Sequence, residues 1–343
     1  MDTTPPDNGP ATGRGTADLR RPVALVAGAS RGLGLLIARE LAAQGCRTVL
    51  CARDREELDR AVAIMRQWGH ASDSYVCDVS DHRAVDELVA QVARDIGVVE
   101  VSVHVAGVIQ VGPLGSMTRE HFEEAIDIMA WGPVNLALAV LPGMRALGRG
   151  RIATITSIGG VVSVPHLLPY STAKFAAVGF SQGLRAELAG SGITVTTVVP
   201  GLMRTGSHLH AKFTGAPARE YAWFAPSASL PFLAMDAERA AAKIVRGVLR
   251  GRGTMLLSPL TKVGARISGV APATTAAVMG AAARLLPGAP PGPRATLDGE
   301  AARKDLSSRI VEGLTMLGTR AARRFNETTF PGAGADAGAR SSD

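Results

Sequence analysis

Residues 22–45 read PVALVAGASRGLGLLIARELAAQG. The apolar run 22–27 has the length of a short buried strand, and from Leu35 onward apolar residues recur at helical spacing. Between them stand Gly28, Ala29, Ser30, Arg31, Gly32, Leu33 and Gly34. Glycines at a strand-to-helix junction let the backbone turn sharply and approach a pyrophosphate. The N–H groups of the following helix then face the negative charge. The spacing is GxxxGxG, and it takes its meaning from the strand and helix around it. A tight turn without a ligand would use the same glycines, so the rest of the chain has to supply the remainder of a nucleotide site.

Working outward, the alternation continues. Strand patterns at 47–51, 74–77, 100–105, 151–156, 193–199 and 254–257 are separated by helical patterns at 54–68, from 80 onward, at 118–147, 169–188 and 236–250. Such alternation predicts parallel strands joined by right-handed crossovers. The expected fold is α/β, a Rossmann-type doubly wound, mainly parallel sheet with helices on both faces. Ligands bind such sheets at the carboxyl ends of the strands. The strand at 47–51 runs into Ala52 and Arg53 rather than an acid that would hold a ribose 2′-hydroxyl, while Asp54 and Glu57 read as a helix cap. Arg31 in the glycine loop reaches the same ribose, and two converging guanidiniums favour a 2′-phosphate, hence NADP over NAD. Asp78 and Val79 end the third strand, where a carboxylate can accept from an adenine amino group. Ala106 and Gly107 end the fourth, where small residues let a ribose lie against the backbone.

The fifth strand delivers Ser157, and Tyr170 and Lys174 follow at spacings of 13 and 4 residues. On a helix the last two lie one turn apart on one face. An ammonium beside a phenol favours phenolate and is expected to draw the tyrosine pKa down. A serine hydroxyl can hold a carbonyl or alcohol oxygen against that phenol. This is general acid–base chemistry that needs a hydride carrier. The bland alternative is the polar start of an amphipathic helix.

The 343 residues are 46% hydrophobic, with 37 basic and 30 acidic residues and a formal charge of +7. That is mildly basic, and no aromatic cluster interleaves with a basic run, so no nucleic-acid partner is expected. Cys46, Cys51 and Cys77 have no metal spacing and sit in apolar stretches, which fits reduced thiols and a cytoplasmic setting. No metal site is expected. Residues 1–20 and 328–343 read as disordered, and the N-terminal stretch lacks the apolar segment of a secretory signal. The uncharged run 267–283 falls short of a membrane span. Residues 202–235 carry Tyr221, Trp223, Phe224 and Phe232 and read as a mobile lid over an apolar substrate, or else as a packed surface excursion. Residues 258–286, the start of a helical extension running to 327, carry Lys262, Arg266 and Arg284 on a polar side. They fit peripheral membrane contact or a partner subunit, with packing on their own domain the plainer expectation.

Taken in order, GASRGLG, CDV, the Ala106-Gly107 pair, Ser157–Tyr170–Lys174 and Pro200-Gly201 resemble the short-chain dehydrogenase/reductase family over about residues 22–257. The resemblance implies that Tyr170 is the general acid–base of an alcohol–carbonyl interconversion. It implies that Lys174 binds the nicotinamide ribose and that Ser157 orients the substrate oxygen. Pro200, Gly201 and Thr205 would contact the nicotinamide end, and the chain would form dimers or tetramers. Two positions depart from the family pattern. His104 replaces an asparagine that braces the sheet, and a satisfied structural histidine is expected there. Met129 stands where the resemblance implies an asparagine in a proton relay. Pro133, four residues on, has no N–H for the Met129 carbonyl. A kink there would free that carbonyl to hold a relay water. A nucleotide-binding sensor or scaffold with little activity is the competing function.

Overall fold

The computed structural model describes residues 21–230, 234–289 and 296–328. The arm expected at 1–20, and all of the tail expected at 328–343 except its first residue, lie outside the described residues. The chain opens with β1 (Val23–Ala27), α1 (Gly32–Ala43), β2 (Arg47–Ala52), α2 (Arg55–Gln67), β3 (Ser72–Val76), α3 (His82–Asp95) and β4 (Val99–His104). Next come β5 (Gln110–Val111), α4 (Arg119–Ile126), α5 (Gly132–Leu147), β6 (Gly150–Ile155), α6 (Leu168–Glu187) and β7 (Ile193–Val199). They are followed by β8 (Met203–Arg204), α7 (Ser207–His210), β9 (Lys212–Phe213), α8 (Pro217–Ser227), β10 (Met235–Asp236), α9 (Ala237–Leu249) and β11 (Thr254–Leu256). The extension holds α10 (Pro259–Val270), α11 (Pro272–Ala283), β12 (Leu297–Asp298), α12 (Gly299–Leu306) and α13 (Arg309–Arg324).

Seven strands form one sheet in the order β11-β7-β6-β4-β1-β2-β3, and every neighbouring pair is parallel. The chain winds outward from β1 through β2 to β3, then returns to the other side of β1 with β4. That reversal opens a crevice beyond the carboxyl ends of β1 and β4. Both faces of the sheet are covered, which is why β1 reads as an unbroken apolar run. Ala24 and Val26 pack with Leu36 and Leu41 of α1 and Ile244 of α9 on one face. Val23 and Leu25 pack with Val85 of α3 and Leu136 and Val140 of α5 on the other. The expected doubly wound sheet is the observed one, with strand ends shifted by a residue or two.

Arg119–Leu147 is one helical run of 29 residues, apolar enough by length and composition to cross a membrane, yet half of its apolar 18-residue window is buried in the core. A π-helical turn at Asp127–Trp131 joins α4 to α5, and Pro133 falls in the first turn of α5. The wider turn absorbs the proline's missing N–H. The expected kink is therefore a local widening of a continuous helix.

Residues 202–235 do not form a free lid. Phe213, Tyr221 and Phe224 are buried together, and Phe213 meets the other two edge-on at centroid distances of 5.5 and 5.8 Å. Ala302 of α12 joins this cluster. Aromatic edge-to-face packing under a cover of helices makes this a fixed layer; residues 231–233 of the expected lid lie outside the described residues. Residues 258–286 meet the domain along one side of α10: no residue of α11 is buried, while α10 contributes buried Thr261 and the Ser268 hydroxyl, which donates to the Val161 carbonyl.

Candidate active site

β6 ends at Ile155 and hands the chain to Ser157, whose Oγ accepts the Gly159 N–H at 3.0 Å and caps a short turn. Pro169 falls in the first turn of α6, where a missing N–H costs nothing. Tyr170 and Lys174 follow one turn apart. Lys174 is buried, and its Nζ donates to the Ile155 carbonyl at 2.9 Å while lying 5.7 Å from the centre of the Tyr170 ring. Burial lowers the Lys174 pKa to about 8. Burial also raises the Tyr170 pKa, and the facing Ser157 hydroxyl pulls the other way. The expected depression of the tyrosine by the ammonium is thus not met in the protein alone. The nearest partner of the ammonium is a backbone carbonyl, and desolvation of the phenolate outweighs it.

At the other end, the glycine loop turns from β1 into α1. Gly28 has φ +84°, and a Cβ there would strike the Ala106 backbone nitrogen at 2.5 Å. Only glycine lets the loop lie on the end of β4. Asp78 forms a turn by accepting from the Ser80 N–H and hydroxyl at 3.0 and 2.7 Å. Asn135 supports the neighbouring residue by donating to the Val79 carbonyl at 3.0 Å. The two arginines expected to converge on a 2′-phosphate each stand beside a carboxylate. Arg31 pairs with Glu57, which also accepts from the Ser30 hydroxyl at 2.8 Å. Arg53 is exposed and lies 3.8 Å from Asp78. Two carboxylates therefore share the two guanidiniums.

One cleft of about 950 Å³ joins these ends. Its wall includes Gly28, Ser30, Arg31, Gly32, Leu33, Gly34, Arg53, Asp78, Val79, Ala106 and Gly107 at the dinucleotide end, and Ser157, Tyr170, Lys174, Pro200, Gly201 and Thr205 at the other. All the candidate catalytic and cofactor-binding residues read from the sequence line it. Val164, Leu167, Trp223 and Phe224 add an apolar wall.

The family model described as short chain dehydrogenase matches residues 22–212, more than half of the chain. The protein is a short-chain dehydrogenase/reductase. It is 42% identical over 187 residues to a Streptomyces violaceoruber protein named "Granaticin polyketide synthase putative ketoacyl reductase 1", covering 54% of this chain and 69% of that one. It is 31% identical over 183 residues to the 2,3-dihydro-2,3-dihydroxybenzoate dehydrogenase of Bacillus subtilis, covering 53% and 70%. Among solved structures, a variant actinorhodin polyketide ketoreductase with NADPH superposes with a TM-score of 0.62 at 31% identity, covering 71% of this chain and 97% of that one.

Two positions mark this short-chain dehydrogenase/reductase off from the family pattern. Met129 is fully buried. A Cβ on Gly107 would sit 3.2 Å from the Met129 sulfur and 3.9 Å from Lys174 Nζ, so a thioether occupies the ground beside the ammonium. His104 is not the satisfied residue expected. Neither ring nitrogen completes a hydrogen bond. Burial, then the Lys174 charge, lowers its pKa to about 3, while the facing Ile128 carbonyl offsets part of the drop. The ring is neutral and lies against the start of α5, where a Cβ on Gly132 would meet Nε2 at 2.6 Å.

The sequence reading missed the end of the chain. Beyond α13 the Phe325 carbonyl accepts from the Gly32 N–H at 2.8 Å. Asn326 donates to the carbonyls of Ser30 and Glu57 at 2.8 and 3.0 Å. Glu327 accepts from the Gly206 N–H at 2.7 Å. This latch ties the glycine loop to the loop after β8. No local pattern in residues 325–327 announces it. Glu57 was legible only as a cap partner, and its backbone N–H does bond Asp54 at 2.8 Å.

Proposed function

We propose that this short-chain dehydrogenase/reductase is an NADP-dependent oxidoreductase that interconverts a secondary alcohol and a carbonyl on a lipophilic small molecule. The observation that carries the reading is that Ser157, Tyr170 and Lys174 lie at one end of a cleft whose other end holds the glycine loop, Arg31, Arg53 and Asp78. The residues present fit the cofactor. Gly28, packed on the Ala106 backbone, and the first turn of α1 line the cleft, and the C-terminal latch reaches the same end, with the Gly32 N–H bonded to the Phe325 carbonyl and the Glu327 carboxyl against Gly32. The phosphorylated form is supported by the NADPH and NADP complexes of the actinorhodin ketoreductase and of a metagenomic short-chain oxidoreductase (34% identity, TM-score 0.51). The wall of Val164, Leu167, Trp223 and Phe224 supports an apolar substrate, as does the name of a relative, the fatty acyl-CoA reductase of Acinetobacter baylyi, 35% identical over 185 residues.

The bound nicotinamide would supply or accept the hydride. In the direction of reduction, the Tyr170 hydroxyl gives its proton to the substrate oxygen, and in oxidation it takes that proton back. The Ser157 hydroxyl holds the same oxygen in reach. Lys174, with its Nζ 5.7 Å from the centre of the Tyr170 ring, would hold the nicotinamide ribose when the cofactor is bound. The Met129 thioether cannot relay a proton, so the relay that the family pattern places at this position is not made by its side chain. Exposed Trp131 and Leu138, with Leu168 and Phe175 on α6, support a homodimer or homotetramer. Three free, buried thiols support a cytoplasmic, reducing setting.

The test is a titration with NADPH and NADH by nicotinamide fluorescence, followed by turnover on apolar ketones and aldehydes, with Tyr170→Phe in parallel. The expected result is NADPH binding by both proteins and turnover by wild type alone. Met129 favours a second reading, a nucleotide-binding sensor. Binding without turnover on any substrate would support the sensor, and failure to bind either nucleotide would overturn both readings.

A further inference from the structure

A second cleft, of about 500 Å³, lies between α9 and α10 beside the edge strand β11. Lys243, Arg246, Arg250, Arg252, Lys262 and Arg266 line it, and no carboxylate does. None of the six pairs with a carboxylate among the described residues. Six cations held together without a counter-charge repel one another and call for an anionic partner.

The neighbouring helix is packed inside out. Leu260, Val263, Ile267 and Val270 of α10 follow the three-four-three spacing of one stripe, and they are 60%, 52%, 52% and 87% exposed. The inward side carries buried Thr261, and Ser268, whose hydroxyl donates to the Val161 carbonyl at 2.9 Å. An ordinary surface helix turns its apolar stripe to the core. Lys262 and Arg266, one turn apart on the same helix, connect the stripe to the basic cleft. α11 then continues without a charged residue, and Val278 and Leu285 are 55% and 88% exposed.

The occupant has to satisfy charge and apolar surface together. An acidic soluble protein answers the cations but leaves the stripe in water. A second copy of this chain brings six further cations to the same place, and like charges across an interface oppose docking. An anionic bilayer satisfies both, with headgroup phosphates for the cations and the acyl boundary for the stripe. We infer that α10, α11 and the basic cleft dock on an anionic lipid bilayer, with α10 lying in the headgroup plane. This surface is separate from the catalytic cleft, and the inference does not rest on the proposed reaction.

The test is flotation of the full chain with vesicles of phosphatidylcholine alone or with phosphatidylglycerol added. The chain is expected to float with the anionic vesicles only and to be released by salt. Arg246→Gln with Arg250→Gln should weaken binding about 25-fold, since each cation near an anionic surface is worth about fivefold. Ile267→Ser should weaken it about tenfold by removing buried apolar area. Unchanged circular dichroism and melting would show that each variant folds. Absence of flotation by wild type, or flotation indifferent to all these substitutions, overturns the inference. So does a dimer that Ile267→Ser dissolves while no vesicle is bound, which would make the face an interface between copies.

Discussion

The Gly32 N–H donates to the Phe325 carbonyl at 2.8 Å and so joins the first turn of the nucleotide-facing helix to the end of α13. Asn326 adds bonds to the Ser30 and Glu57 carbonyls. The glycine loop is therefore held by a segment nearly the whole chain away. Each such bond is worth about 0.5–1.5 kcal/mol net. Asn326→Ala removes both, together with the bond its Oδ1 accepts from Arg60 Nε at 3.3 Å, so NADPH affinity is expected to fall about tenfold. Fluorescence titration checks it. Unaltered affinity would reduce the latch to packing.

Glu327 makes the same latch sensitive to pH. Its carboxyl is pushed up from 4.5 to about 7 by burial, with the Gly206 N–H and Arg31 lowering it and Glu57 raising it. An acid whose pKa is raised in the latched state favours that state when protonated. The latch is therefore tightest below pH 4.5 and weakens as pH rises from there to about 7, beyond which the loss is complete. Hydrogen exchange over residues 322–328, corrected for intrinsic rates, should show stronger protection at pH 6 than at pH 8. Glu327→Gln, which cannot ionise, should be protected equally at both.

The parts of the site that could be read from the sequence are those whose geometry is local. Gly28 to Gly34 sit between a strand and a helix, and Tyr170 and Lys174 are one helical turn apart, so short-range spacing fixes where they point. The place of Ser157 followed from the strand before it. Long-range partners carried no such signal. Glu57 looked complete as a cap partner, yet its side chain reaches Ser30 and Arg31, 27 and 26 residues away. Asn326 meets Ser30 across 296 residues. Of the two readings of 202–235 the packed excursion is the arrangement seen, and one of its partners lay out of local reach, since Ala302, which joins the cluster of Tyr221 and Phe224, comes from α12.

We propose that the choice between NADPH and NADH turns on Arg31 and Glu57. The carboxylate holds the guanidinium that a 2′-phosphate would need. Glu57→Gln keeps a hydrogen-bonding side chain for Ser30 but removes the competing charge. A hydrogen bond to a charged group is worth about 1.5–3 kcal/mol, so the preference for NADPH over NADH should rise about tenfold. Arg31→Ala should lower it by a similar factor. The ratio of the two dissociation constants is the readout, and an unchanged ratio in both variants would remove Arg31 from phosphate recognition.

Lys174 is where the demands of the site work against the fold. Its ammonium is buried, with the Ile155 carbonyl at 2.9 Å as its hydrogen-bond partner. Burial lowers its pKa from 10.5 to about 8. For a base this means that the folded protein holds the proton less tightly than the unfolded chain does. The penalty is absent above pH 10.5, grows as pH falls towards 8, and is complete below that. At pH 7 it is on the order of 3 kcal/mol, since one pKa unit corresponds to about 1.4 kcal/mol. Lys174→Met fills the same space without a charge. Its urea midpoint should exceed that of wild type at pH 7, and the advantage should shrink as pH rises towards 10. Turnover should fall about 10²–10⁴-fold, the usual loss when acid–base chemistry is disabled. A variant less stable than wild type at pH 7 would mean that the Ile155 bond outweighs the burial of the charge.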